Sequence, residues 1–176
     1  MNRTRMLLVL GMLALGAGAT WWWVRGGTAV GPQAAPGTLA VRWQGKHRGS
    51  AVLPARINWC PVTRTGVLEA IAGDTGIAVV LYEVNALSRG PHAVVAPGGG
   101  AAVPRPGASV VMRWPKDSTV LLAFTSHGGL IDVRTAPTRL SGTLSIRLRA
   151  SSGVDTLSLQ GSFTDVPVVS MAVGCP

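Results

Sequence analysis

The residues most capable of chemistry in this 176-residue chain are one Asp-Thr-Gly, three histidines and two cysteines. A carboxylate activates water most effectively when two of them share a proton. Asp74 is the candidate, in Gly73-Asp74-Thr75-Gly76 between two apolar runs. The same residues are good turn chemistry, since Asp bonds to its own backbone and Gly accepts positive φ. Zinc sites use short histidine spacings, whereas His47, His92 and His127 are scattered and read as ordinary surface or loop residues. Ser126-His127-Gly128-Gly129 lacks the Gly-x-Ser-x-Gly context of a nucleophile elbow and reads as a turn. The chain has no phosphate-binding loop and no Gly-x-Gly-x-x-Gly run opening a helix. The sequence therefore assigns no catalytic residue, no metal ligand and no cofactor, and a non-enzyme is expected.

The run Glu69-Ala-Ile-Ala-Gly-Asp74-Thr-Gly-Ile-Ala78 resembles the active-site signature of aspartic proteases, the retroviral type in particular. The resemblance implies a hydrolase with Asp74 as one of two proton-sharing carboxylates. The chain departs from that pattern at Gly73, where those enzymes carry an apolar strand residue. It also has no second Asp-Thr/Ser-Gly and no flap sequence, so a carboxylate pair would require two copies of the chain. A turn at Gly73–Gly76 is the preferred expectation.

Cys60 and Cys175 are the only cysteines. Two cysteines are too few for a four-Cys zinc site, and no Cys-x-x-Cys redox motif is present. In an exported domain an even pair reads as a disulfide. Such a bridge would tie the C-terminal strand to an early one. By loop entropy it would contribute about 4–5 kcal/mol.

Those candidates need elements to position them, and the first is N-terminal. Arg3 and Arg5 precede an uncharged run from Met6 to Val24, closed by Arg25. As a helix the run spans roughly 28 Å, close to the hydrocarbon thickness of a bilayer. Ala17-Gly18-Ala19 offers a signal-peptide cleavage site. Trp21, Trp22 and Trp23 favour retention, because indoles seek the membrane interface, and with Arg25 they mark that boundary. Gly11, Ala14 and Gly18 lie near one helix face, where small residues let a second helix pack closely. The expectation is a single-pass protein of a bacterial inner membrane. Its basic N-terminus would stay cytoplasmic and its C-terminal domain would be periplasmic. Residues 1–25 are read as the anchor and 26–37, rich in Gly and Pro, as a linker.

From 38 to 176 the pattern is strand-like, with short apolar alternations separated by turn residues. Leu144, Ile146 and Leu148 face one way while Ser145, Arg147 and Arg149 face the other. Eleven short strands are predicted. Among them are Thr119–Ser126 and Leu130–Thr135 as separate strands, and likewise Thr156–Thr164 and Pro167–Val173. The fold class is all-β: a small antiparallel β-sandwich or barrel-like domain after a single transmembrane helix.

Only 13% of residues are charged, yet the net charge is +9. Arg42, Lys46, Arg48, Arg56 and Arg64 precede the first acid of the domain, Glu69. In the cytoplasm this cluster, with Trp43 and Trp59, would suggest nucleic acid. In an exported domain it suggests anionic lipid or an acidic protein face. The expected partners are membrane lipid and other membrane-protein subunits, with no nucleic acid. The expected role is a non-catalytic accessory or stabilising subunit of a larger inner-membrane complex, of the respiratory or photosynthetic reaction-centre–antenna type. A membrane-tethered module that binds a ligand or partner is the second expectation.

Overall fold

The computed structural model of the chain describes residues 36–98, 103–118, 120–136, 138–171 and 175. The anchor residues Trp21, Trp22, Trp23 and Arg25, and the helix-packing residues Gly11, Ala14 and Gly18, lie outside them. The described chain is all-β. Its nine strands are β1 (Gly37–Gly45), β2 (Gly49–Cys60), β3 (Thr65–Ala72), β4 (Thr75–Tyr82), β5 (Gly90–Val95), β6 (Gly107–Pro115), β7 (Leu121–Ala136), β8 (Arg139–Ala150) and β9 (Thr156–Ser170). They form one sheet closed into a barrel in the order β1-β2-β3-β4-β6-β5-β7-β8-β9, with β9 returning to β1. The structure thus takes the barrel form rather than two stacked sheets.

Alternation explains which side chains fill it. Successive residues of a strand point to opposite faces, so Leu39, Val41 and Trp43 of β1 point inward while Thr38, Arg42 and Gln44 stay on the wall. Leu39, Ile57, Leu68, Met112, Phe124 and Leu159 are among the interior residues, each at most 2% exposed. Outward positions of β8 and β9 are Thr143, Ser145, Arg147, Arg149, Ser158 and Gln160. On these two strands the apolar-in, polar-out arrangement is the reverse of a membrane-spanning barrel's, whose lipid-facing band is apolar.

Two pairs of predicted strands are each one continuous strand. In β7 the register shifts between Ser126 and Gly128, a β-bulge rather than the expected turn. Gly129 has φ 134°, and a Cβ there would press into the Ser145–Ile146 backbone of β8. Glycine therefore lets the strand bend and continue. In β9 the bend falls at Asp165, with φ 54°, opposite the register shift between Leu140 and Gly142. Before the bend β9 pairs with β1; beyond it Val168–Ser170 pair in parallel with Ile57–Trp59 of β2.

The strand β5 wedges into a fork. β6 and β7 pair directly from Val111↔Thr125 to Pro115↔Leu121, then part to admit β5. Ser126 sits at the fork, buried, accepting from Val110 N–H at 2.9 Å and donating to the Val95 carbonyl. One hydroxyl thus links three strands.

Candidate functional site

The candidate residues of the sequence fall at different places on the barrel. Asp74 is exposed at the tip of the β3–β4 hairpin. The loop there is two residues long, Gly73 and Asp74, with Gly73 at φ 57°, as the turn reading expects. Cys60 ends β2 and is bonded to Cys175, with a Cα–Cα distance of 5.7 Å. The three histidines do not converge. His47 lies in the β1–β2 turn with its ring edge toward Trp114, and His127 is exposed in the β7 bulge. His92 overturns the surface reading, being fully buried in β5.

The basic cluster is likewise distributed. Arg42 is on the β1 wall, and Lys46 and Arg48 are in the β1–β2 turn, with Lys46 paired to Asp155 at 2.9 Å. Arg56 is on β2, paired with Glu69 at 3.1 Å. Arg64 is in the β2–β3 turn at the opposite end of β2. Twelve residues of strand separate the two turns, about 40 Å of chain at the usual rise. The five cations are not one patch.

The two ends of the barrel differ. Around the β1–β2 turn Trp43, Trp114 and Phe124 close the interior, with ring centroids 5.3 and 5.0 Å apart. The Trp43 indole N–H is buried there without a partner among the described residues. The disulfide end is built on polar contacts. Glu83, one residue past β4, is fully buried and meets His92 Nε2 at 2.9 Å. Its carboxylate also accepts from Ser88 N–H at 3.1 Å and Ser88 O–H at 2.7 Å. His92 Nδ1 lies 3.0 Å from the Gly90 carbonyl. Burial by itself pushes the Glu83 pKa up, but the bonds from His92 and Ser88 outweigh it and leave the carboxyl below its ordinary value. Burial also works against imidazolium, yet Glu83 and the Gly90 carbonyl hold His92 above its ordinary value. Both shifts favour the ionised pair, in which Nδ1 donates to the Gly90 carbonyl and Nε2 to Glu83. Sealed from solvent, the pair ties the 83–90 loop to β5.

That tie shapes the surface above it. Glu83 N–H donates to the Arg64 carbonyl at 2.9 Å. Arg64 Nη1 donates to the Val84 carbonyl at 3.0 Å, and Arg105 Nη1 to the Glu83 carbonyl at 2.6 Å. Glu83, Ser88, His92 and Arg105 carry no motif. The one sequence signal near them is Pro104-Arg105-Pro106, a stiff end to a Gly-rich loop.

The outer wall is two-faced. Registered neighbours share a face, and the row Glu69↔Ala78↔Val111↔Thr125 runs across β3, β4, β6 and β7. With Val67, Ile71 and Val80 it makes an apolar stretch, with Ile71 51% and Val111 40% exposed. The β8–β9–β1 wall instead carries Ser, Thr, Gln and Arg. Among the described residues, no group of three or more His, Cys, Asp or Glu is placed to hold a metal ion, and no helix is long and apolar enough to cross a membrane. Comparison with known protein families, with curated proteins and with solved structures gives no match for this chain.

Proposed function

We propose that this chain is a non-catalytic accessory subunit of a larger inner-membrane protein assembly, with residues 1–25 as its anchor and the barrel on the periplasmic side. The observation that carries the reading is the two-faced wall. The barrel interior is packed with its own side chains, so binding falls to the outside, and β3, β4 and β6 offer Val67, Ile71, Val80 and Val111 there. Exposed apolar stretches rimmed by polar residues mark protein contacts. Arg56 and Glu69 pair at one border of the stretch, and Arg113 stands near its far side. The occupant that fits is an apolar face of a neighbouring membrane-protein subunit.

The Cys60–Cys175 bond supports the compartment, because disulfides persist in oxidising spaces such as the periplasm. Arg3 and Arg5 ahead of the uncharged run support the orientation. Site-specific photo-crosslinking in native membranes tests the reading. A crosslinker at Ile71 or Val111 is expected to capture one recurring membrane protein, and a crosslinker at Ser145 on the polar wall to capture none. Equal capture from both walls, or none from either, would contradict it.

A further inference from the structure

We infer that Arg64 and Arg105 form a binding site for a phosphate-bearing anion at the disulfide end of the barrel. The inference is independent of the accessory-subunit reading, which rests on a different surface. Val62, Thr63, Arg64, Val84 and Arg105 line a hollow of about 390 Å³. Two guanidiniums, permanently charged, are brought to one hollow from segments far apart in sequence. Like charges do not gather without restraint, and here the restraint is visible. Each arginine spends Nη1 on a backbone carbonyl at the end of β4, Val84 for Arg64 and Glu83 for Arg105. Among the described residues, Nε and Nη2 of both have no partner, so each keeps its fork of donors.

Among the described residues, no carboxylate lines the hollow to neutralise them. Glu83 is close along the chain, but its carboxylate is buried and committed to His92 and Ser88. The backbone is also held in an unfavourable form, since Arg64 has φ 57°, the left-handed region. An L-residue is disfavoured there, and such strain concentrates at ligand clamps. The Glu83 N–H to Arg64 carbonyl bond fixes it.

The number of forks selects the anion. One guanidinium fork satisfies the two oxygens of a carboxylate. Two forks fit the three terminal oxygens and the higher charge of a phosphate. Val62, 75% exposed, and Val84, 49% exposed, flank the cations with apolar surface. That rim accommodates the organic part of a phosphate ester. The same chemistry has two sources, a phospholipid headgroup and a free phosphate.

The test uses the full-length chain in a neutral maltoside detergent, followed by hydrogen–deuterium exchange over 62–65, 83–85 and 103–107. One arm adds inorganic phosphate against chloride at matched ionic strength. The other adds phosphatidylglycerol to the micelles. Saturable protection in the first arm alone identifies free phosphate, and protection in the second identifies the headgroup; either supports the site. Arg64→Gln and Arg105→Gln are each expected to weaken the effect about tenfold or more, as loss of a charge-assisted bond does. Arg64→Lys is expected to weaken it too, because the charge stays while the fork goes. Arg147→Gln, on the polar wall, is expected to leave it unchanged. Absence of saturable protection in both arms of the wild-type chain would overturn the site, as would unaltered protection in an Arg64→Gln, Arg105→Gln double variant that melts like wild type.

Discussion

Glu83 and His92 meet at 2.9 Å where neither touches solvent, and that contact makes stability depend on pH. The imidazolium, its pKa raised by folding, stabilises fully below its ordinary value of 6.5, and the effect is lost as pH climbs through the raised value. The carboxylate, its pKa lowered, stabilises fully above its ordinary value of 4.5, and the effect is lost as pH falls through the lowered value. The pair therefore contributes most between 4.5 and 6.5. Urea unfolding across pH is expected to show a plateau there and a decline on both sides. Glu83→Ala leaves the buried His92 without its carboxylate partner and is expected to cost about 3–5 kcal/mol. It is also expected to remove the decline above the plateau; an unchanged alkaline limb would refute the pairing. None of this was legible in the sequence. Glu83 follows an apolar strand as an exposed loop acid would, and His92 has no ligand spacing. Their burial depends on β5 entering the fork between β6 and β7, a long-range event that no local pattern encodes. Asp74 is the converse case, where turn chemistry was readable and the exposed two-residue loop agrees with it.

At the scale of elements, period-two alternation was enough to place most strands. Leu144, Ile146 and Leu148 do point inward, as their spacing suggests. The failures were at Ser126–Gly129 and Asp165, where turn-forming residues serve bends within continuous strands. Glycine and aspartate permit positive φ in either setting, and only the partner strand decides which occurs. Gly129→Ala is therefore expected to destabilise by about 1–3 kcal/mol, from the strained φ and the approach of the β8 backbone. Equilibrium denaturation measures it, and a neutral result would remove the bulge from the account. The disulfide acts on the same scale. Cys60 closes β2 beside the end of β9, where Met171 N–H donates to the Trp59 carbonyl at 2.9 Å. Replacing both cysteines with serine is expected to cost about 2–5 kcal/mol, and a reductant should lower the denaturation midpoint of the wild type alone.

Over the whole molecule, the low charge content belongs to the chain that follows Arg25. Of the 16 basic residues Arg3, Arg5 and Arg25 precede Gly26, leaving 13 against all 7 acids in the remaining 151 residues. The structure shows where that charge is spent. Asp155, Glu69, Asp132 and Asp165 each meet a surface cation, and Glu83 meets His92. Arg42, Arg147 and Arg149 lie on the polar wall and Arg64, Arg89 and Arg105 around the disulfide end, while Arg48 is in the β1–β2 turn and Arg113 on β6 borders the apolar stretch of β3, β4 and β6. The basic run before Glu69 promised a single patch, but a long hairpin strand carries its members to opposite ends. Apolar stretches of this kind form from registers across strands, such as Ala78↔Val111, and so are not continuous in sequence.

Ile71→Lys and Val111→Lys lie on exposed positions, where substitutions usually change stability by no more than about 0.5 kcal/mol. They isolate the wall from the fold. The most direct measurement is purification of the tagged full-length chain from native membranes in mild detergent, with quantitative mass spectrometry of wild type and the double variant. A membrane-protein partner in fixed stoichiometry with wild type, lost from a double variant that melts normally, is expected. A wild-type chain that emerges as a monodisperse monomer without partners, or a partner retained in full by the double variant, would contradict the proposed role.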